Sequence, residues 1–154
     1  MSQNLIELQH DVLLFDLDGV VYVGPHAVPG AVAAIAAASA RGIRCCFVTN
    51  NASRTPEEVA HHLRDLGVDA TAQDVVTSSQ AGAGLVAERV DSGEVLAVGG
   101  RGVTEALRER GFDPVSAFDS GTVAVMQGYG TDVGWRDLAE ATYAIRAGLP
   151  WIAT

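Results

Sequence analysis

Short apolar runs alternate with helix-length stretches along this chain. Asp11-Val-Leu-Leu-Phe-Asp16 is an unbroken apolar run between acids, which predicts a buried strand of the parallel type. Gly19-Val-Val-Tyr-Val-Gly24 sets β-prone residues between two glycines and predicts a tight hairpin or flap. Pro29 opens a predicted helix that runs to about Ala40 and stops at Gly42, and Ile43 to Val48 is a second apolar, strand-like run. Thr55-Pro-Glu-Glu58 is a helix start, with Thr55 as N-cap, Pro56 in the first helical position and Glu58 placed to close a capping box; Gly67 ends that helix. Val75 to Thr77 predicts a brief strand, and a Ser-capped helix follows from about Ser79 to Val90.

Asp91-Ser92-Gly93 is a turn, after which the alternation restarts. The second series comprises a strand over Val95 to Val98, a helix from about Gly102 to Arg110 closed by Gly111, a strand over Thr122 to Gln127, a helix from about Trp135 to Ala147, and a strand over Trp151 to Thr154. Strand and helix in regular alternation predict an α/β layer structure with parallel sheets. We expect two small α/β units with a boundary between residues 77 and 93, assigned as 1–80 and 81–154.

Composition narrows the classes of function. With 154 residues, 48% hydrophobic and 19% charged, the chain buries an ordinary core and is not disordered. A formal net charge of −9 argues against nucleic acid and anionic membrane surfaces as partners. Cys45 and Cys46 are adjacent, so on a strand they face opposite ways and form no disulfide framework, which points to a reducing compartment. Met1 to Asp11 carries no secretory pattern, and no apolar stretch is long enough to span a bilayer, so the expected location is cytoplasmic. All ten basic residues are Arg, and there is no Lys.

The chemistry concentrates at two strand ends. In Phe15-Asp16-Leu17-Asp18-Gly19-Val20, two carboxylates follow a buried strand, where open α/β sheets bind ligands. Crowded carboxylates repel each other and lose hydration, so a divalent cation or a shared proton is the natural remedy; the alternative is a solvated turn. Cys45-Cys-Phe-Val-Thr49-Asn50-Asn51 is a second apolar strand ending in a hydroxyl and two carboxamides, about thirty residues on, as a βαβ crossover requires. Hydroxyl, carboxamide and backbone donors there suit a phosphate, against the plainer reading of an Asn-rich turn.

With these two motifs the chain resembles the haloacid dehalogenase superfamily of aspartate-nucleophile phosphatases, in the branch with a large α/β cap that includes para-nitrophenyl phosphatases and phosphoglycolate, pyridoxal and glycerol-3-phosphate phosphatases. The first motif is matched by Asp16-Leu-Asp-Gly-Val20 and the second by Val48-Thr-Asn-Asn51 with Ser53-Arg54 following; Gln73 to Ser78 and Arg146 to Thr154 also look like this branch. The resemblance implies a Rossmann-like core in 1–80 and part of an α/β cap in 81–154. It implies a phosphatase acting on a small phosphomonoester, with Asp16 as nucleophile forming an aspartyl-phosphate and Asp18 as general acid and base. It further implies Mg2+ held at Asp16 and Asp18, and a phosphate pocket formed by Leu17, Gly19, Thr49, Asn50 and Asn51, with Arg54 a candidate substrate contact.

Two further family motifs, a Lys and a later acidic pair, are not in the sequence. In the cap-bearing branch both follow the cap, so the chain reads as the N-terminal portion of a longer protein, ending within the cap. The strand bearing Asp16 should then have an exposed edge, and the isolated chain is expected to associate, a homo-oligomer being one form, or to be marginally stable. Without Lys, a truncated or degenerate phosphate- or metal-binding module is the rival reading. A phospho-receiver domain is disfavoured, because it too needs a Lys and carries its phosphoacceptor on a later strand. His61 and His62, adjacent on a helix, read as structural rather than as metal ligands. Val98-Gly-Gly-Arg-Gly102 lacks nucleotide-loop spacing and reads as a strand-to-helix turn, while Tyr129, Trp135 and Trp151 are expected in the core of the second unit.

Overall fold

The apolar run after Asp11 forms strand β1 (Val12–Asp16). In this computed structural model, which describes residues 10–154, β1 is followed by a small antiparallel hairpin of β2 (Tyr22–Val23) and β3 (His26–Ala27). Next come α1 (Ala31–Ser39), β4 (Arg44–Thr49), α2 (Pro56–Asp65), a 3-10 turn (Ala72–Asp74), β5 (Val75–Thr77) and α3 (Ser78–Ala87). The rest is β6 (Glu94–Val98), α4 (Arg101–Glu109), β7 (Asp113–Val115), β8 (Thr122–Gln127), α5 (Trp135–Arg146) and β9 (Trp151–Ala153). The expectation of no secretory pattern rests mostly on residues 1–9, which lie outside the described residues. No helix among the described residues is long and apolar enough to cross a membrane.

The chain divides into two compact units: residues up to Thr49 with Pro56–Val76, and Asn50–Thr55 with Thr77–Thr154. In the first unit the sheet order is β1-β4-β5, with β1 and β4 parallel and Asp16 paired in register with Val48. One face of this sheet is covered: Ile35 of α1 and Val59 and Leu63 of α2 pack with Phe47, Val75, Leu17 and Val21, and Phe15 stacks on Phe47. Among the described residues of this unit, no helix covers the opposite face. Leu14 is 71% exposed, and Val12, Val48 and Val76 are exposed with it. The expectation that β1 is buried on both sides is therefore corrected: its apolar run alternates between a covered and an open face, because both helices of the unit pack on the same side. β1 is also a sheet-edge strand among the described residues, as anticipated.

The hairpin forms one step later than expected. Gly19 to Gly24 does not fold back on itself; Tyr22–Val23 pair with His26–Ala27, and the reversal falls at Gly24-Pro25. Gly24 has φ +56°, a left-handed conformation that glycine adopts without penalty.

In the second unit all strands are parallel, in the order β7-β6-β8-β9. Val86 of α3 and Val103 and Leu107 of α4 cover one face against Val95, Ala124 and Met126. On the other face, α5 lays Ala141 and Ala144 on Leu96, Val98 and Val125. The aromatic residues expected in this core are exposed instead: Trp135 is 83%, Tyr129 62% and Trp151 52% accessible. For Trp135 the reason is steric, since α5 packs on its sheet through small alanines and turns its large side chains outward, while Trp151 lies on the exposed side of β9. Strand β7 went unanticipated, being three residues long and containing Pro114, which a sheet accepts at an edge position such as this one. Helix α3 is capped by Thr77 rather than by Ser79: the Thr77 hydroxyl accepts from Gln80 N–H at 3.3 Å, and the Gln80 side chain accepts from Thr77 N–H at 3.1 Å.

Candidate active site

Asp16 is the last residue of β1, and its carboxylate is fixed locally by Leu17 N–H, which donates to Oδ1 at 2.8 Å. Leu17 is fully buried, so it anchors the turn that carries the exposed Asp18 and Gly19. The Leu17 carbonyl accepts from the amides of Val20, Val21 and Tyr22 at 2.9–3.2 Å, and Gly19 N–H donates to the Tyr22 carbonyl at 2.8 Å. Gly19 sits at φ +82°, a conformation that L side chains rarely adopt. Asp16 and Asp18 are thus presented on the solvent side of a tightly closed loop. The amides of Leu17 and Gly19, two residues of the expected phosphate pocket, are engaged within that loop.

The second strand end lies alongside. Because Asp16 pairs with Val48, Thr49 is the next residue along β4, and it is buried. Asn50 and Asn51 follow directly but belong to the second unit, as does the exposed Arg54. The segment 50–55 is firmly tied there. Asn51 Oδ1 accepts from Ser53 N–H at 2.8 Å and Ser53 Oγ at 2.7 Å, so this carboxamide oxygen holds its own turn. Ser78 Oγ donates to the Asn50 carbonyl at 2.9 Å, Ser79 Oγ to the Ala52 carbonyl at 2.8 Å, and Gly102 N–H to the Ser53 carbonyl at 3.0 Å.

Sequence reasoning missed the supports of this segment. Gly100 and Gly102 form the strand-to-helix turn expected of them, and they also admit the backbone of residues 52–54; a Cβ on Gly100 would lie 2.6 Å from Ser53 Cα. Two glycines two residues apart at a helix start were the available signal. Ser78 and Ser79, read as a helix cap, hold the same segment.

The Asp16 carboxylate and the Asp18 backbone carbonyl are the donors that would hold a divalent cation. Mg2+ is commonly held by one or two carboxylates, with waters and substrate phosphate completing the octahedron, and an exposed carboxylate at Asp16, two residues from the exposed Asp18 on a hydrogen-bonded loop, fits that habit. No group of three or more His, Cys, Asp or Glu residues that would hold an ion occurs among the described residues, so the donors stop at this pair. His61 is exposed and lies 3.6 Å from Asp65, and His62 turns to the hairpin after Asp18. Both cysteines are free, and burial, followed by the neighbouring Cys46 and Asp74, raises the Cys45 thiol pKa.

Residues 13–113 match the family model of the haloacid dehalogenase-like hydrolases. The chain is 46% identical over 149 residues to D-glycerol 3-phosphate phosphatase of Mycobacterium tuberculosis, covering 96% of this chain and 41% of that protein. It is 36% identical to an acid sugar phosphatase of Staphylococcus aureus, covering 95% of this chain and 56% of the relative. The crystal structure of the mycobacterial glycerol phosphate phosphatase in complex with magnesium superposes with a TM-score of 0.87 over 96% of this chain and 45% of that one. A putative p-nitrophenyl phosphatase from Bacillus subtilis, 30% identical, gives a TM-score of 0.78 over 93% of this chain and 55% of that one. The chain therefore spans about half the length of the relatives it matches, or less.

Proposed function

This chain belongs to the haloacid dehalogenase-like hydrolases, and from that membership and the geometry of the β1 and β4 ends we propose that it carries the nucleophile-bearing part of a phosphatase acting on a small phosphomonoester. One observation carries the reading: two exposed carboxylates, Asp16 and Asp18, leave the end of β1 beside the strand whose next residue is the buried Thr49. The substrate class follows the relatives, a D-glycerol 3-phosphate phosphatase and an acid sugar phosphatase. Residues 1–80 serve as the N-terminal part of a Rossmann-like core and 81–154 as part of an α/β cap.

The chemistry assigned to this chain's residues is phosphoryl transfer in two displacements. A carboxylate oxygen of Asp16 attacks phosphorus and forms an aspartyl-phosphate as the bond to the leaving oxygen breaks. Asp18, protonated at that stage, gives its proton to the leaving alcohol; as a carboxylate it then takes a proton from the water that attacks the phosphorus and frees Asp16. Thr49 supplies a hydroxyl toward the transferring group, while Asn50 and Asn51 shape the phosphate pocket and Arg54 contacts the substrate. Asp16 and Asp18 would hold Mg2+, which when bound offsets the repulsion between a carboxylate nucleophile and an anionic phosphate.

The test is hydrolysis of para-nitrophenyl phosphate with added Mg2+ by the full-length protein and by its Asp16→Asn variant, residues 1–154 alone being expected to show none. The expected result is turnover in the first and none in the second; equal turnover in both overturns the nucleophile assignment. A second reading, a phosphate- or metal-binding module without turnover, is favoured by the absence of Lys from the sequence and by the lack of a third acidic donor among the described residues. Phosphate binding that needs Mg2+, without hydrolysis, is its signature.

A further inference from the structure

Outside the residues assigned to chemistry, one polar side chain from a distant part of the sequence reaches the hairpin that follows Asp18. His62, in the last turn of α2, sets its ring edge-on to Tyr22, with centroids 4.7 Å apart and planes at 76°. Its Nε2 lies 3.2 Å from the Gly24 carbonyl, and a carbonyl only accepts, so Nε2 carries the proton and donates. Tyr22 is buried and is the closing residue of the Asp18 turn: its N–H donates to the Leu17 carbonyl, its carbonyl accepts from Gly19 N–H, and it forms a β-bridge with Asp18. Gly24 is the corner at which β2 turns into β3. A single imidazole thus holds the ring of the residue that closes the carboxylate turn and also the carbonyl at the tip of the hairpin that follows.

We propose that His62 is a positioning residue which latches the β2–β3 hairpin to α2 and thereby fixes the backbone that presents Asp18. The assignment of Asp18 as proton carrier rests on the functional reading above, whereas the latch rests on geometry alone. A general acid gains its advantage only when held within hydrogen-bond reach of the leaving oxygen, so a loop that wanders loses rate even with every reacting group intact. Without His62 the turn keeps its own hydrogen bonds and Tyr22 keeps its place in the core with Val59 and Leu63, but the edge-on ring contact to Tyr22 and the hydrogen bond to the Gly24 carbonyl are lost.

The experiment is amide hydrogen exchange followed by NMR on the full chain, comparing wild type with His62→Ala, His62→Gln and His62→Phe. In His62→Ala the amides of Gly19 and Tyr22 should exchange about fivefold to tenfold faster, the loss expected for one hydrogen bond with its packing contact, while those of Phe47 and Leu63 keep their wild-type rates. Gln retains a side-chain N–H donor and should restore most of the protection, whereas Phe retains only the ring and should restore less. Unchanged exchange at Gly19 and Tyr22 in His62→Ala overturns the proposal. Equal acceleration at Phe47 and Leu63 also overturns it, because His62 would then be an ordinary stabiliser of the unit. Selective loss of protection, where the full-length protein hydrolyses no para-nitrophenyl phosphate, upholds the latch and counts only against the phosphatase reading.

Discussion

Replacing Gly100 by alanine isolates the support beneath the segment that carries Asn50 and Asn51. The added Cβ would lie 2.6 Å from Ser53 Cα, 2.7 Å from the Ser53 carbonyl oxygen and 2.8 Å from Ser53 Cβ. Carbon atoms rest about 3.5–4.0 Å apart, so the two segments must separate by about 1 Å. Gly100 has φ −76° and ψ −178°, a conformation alanine adopts without strain, so the penalty is steric. None of the crowded atoms is the free end of a flexible chain, and the Ser53 turn is held by Asn51 and by Gly102 N–H. Overpacking of this kind costs about 1–3 kcal/mol, and exchanging glycine for alanine at the N-cap of α4 adds about 0.5–1 kcal/mol. We expect a loss of about 2–3 kcal/mol, read in urea as a fall in midpoint of about 1–1.5 M at unchanged slope. Gly84→Ala is the internal control: it is interior to α3, where the new Cβ meets only the Arg110 guanidinium at 3.7 Å, and it should stabilise by about 0.5–1 kcal/mol. The reasoning fails if Gly100→Ala melts within about 0.5 kcal/mol of wild type, or if the two variants shift the midpoint in the same direction.

Further expectations follow from the remaining structure. The Asp74 carboxylate takes hydrogen bonds from the Thr71 hydroxyl and N–H at 2.7 and 3.0 Å, which together with Arg44 lower its pKa. Its contribution is therefore complete above the ordinary carboxylate range and lost as pH falls through the lowered value; Asp74→Ala should cost about 1 kcal/mol at pH 7 and progressively less in acid, measured by urea titration at several pH values. Glu94 behaves oppositely, because Asp119 first, then burial and Asp113, raise its carboxyl pKa. Stability is favoured while Glu94 is protonated and falls as pH rises through the raised value, so Glu94→Gln should flatten the dependence of Tm on pH from the ordinary carboxylate range upward; an unchanged profile would remove Glu94 as its source. The exposed Leu14 face and the edge position of β1 among the described residues predict concentration-dependent association in sedimentation velocity, weakened by Leu14→Lys; a monodisperse wild-type monomer at high concentration would refute it.

What was legible in the sequence was the chemistry at strand ends, and what was not was the side from which each element is covered. Asp16, Asp18 and Thr49 stood out because an apolar run that stops on polar residues marks both the end of a strand and the mouth of an α/β sheet, and both observed strands end within one residue of that reading. Coverage has no such local mark. On α5, Trp135 reads as a core residue because it is large and aromatic, yet the helix seats itself on the sheet through Ala141 and Ala144 and leaves Trp135 exposed. Likewise the run Val12-Leu-Leu-Phe15 reads as buried on both sides, since each residue is apolar, although only Leu13 and Phe15 face the side on which the helices pack. Hydrophobicity records which surfaces a sequence is able to bury, and the packing partner decides which of them it does. The same distinction separates Asp16 from His62. A carboxylate at a strand end announces itself by its local cost, whereas His62 is visible only once α2 is laid against the hairpin, 38 residues away in sequence from the Gly24 carbonyl it holds.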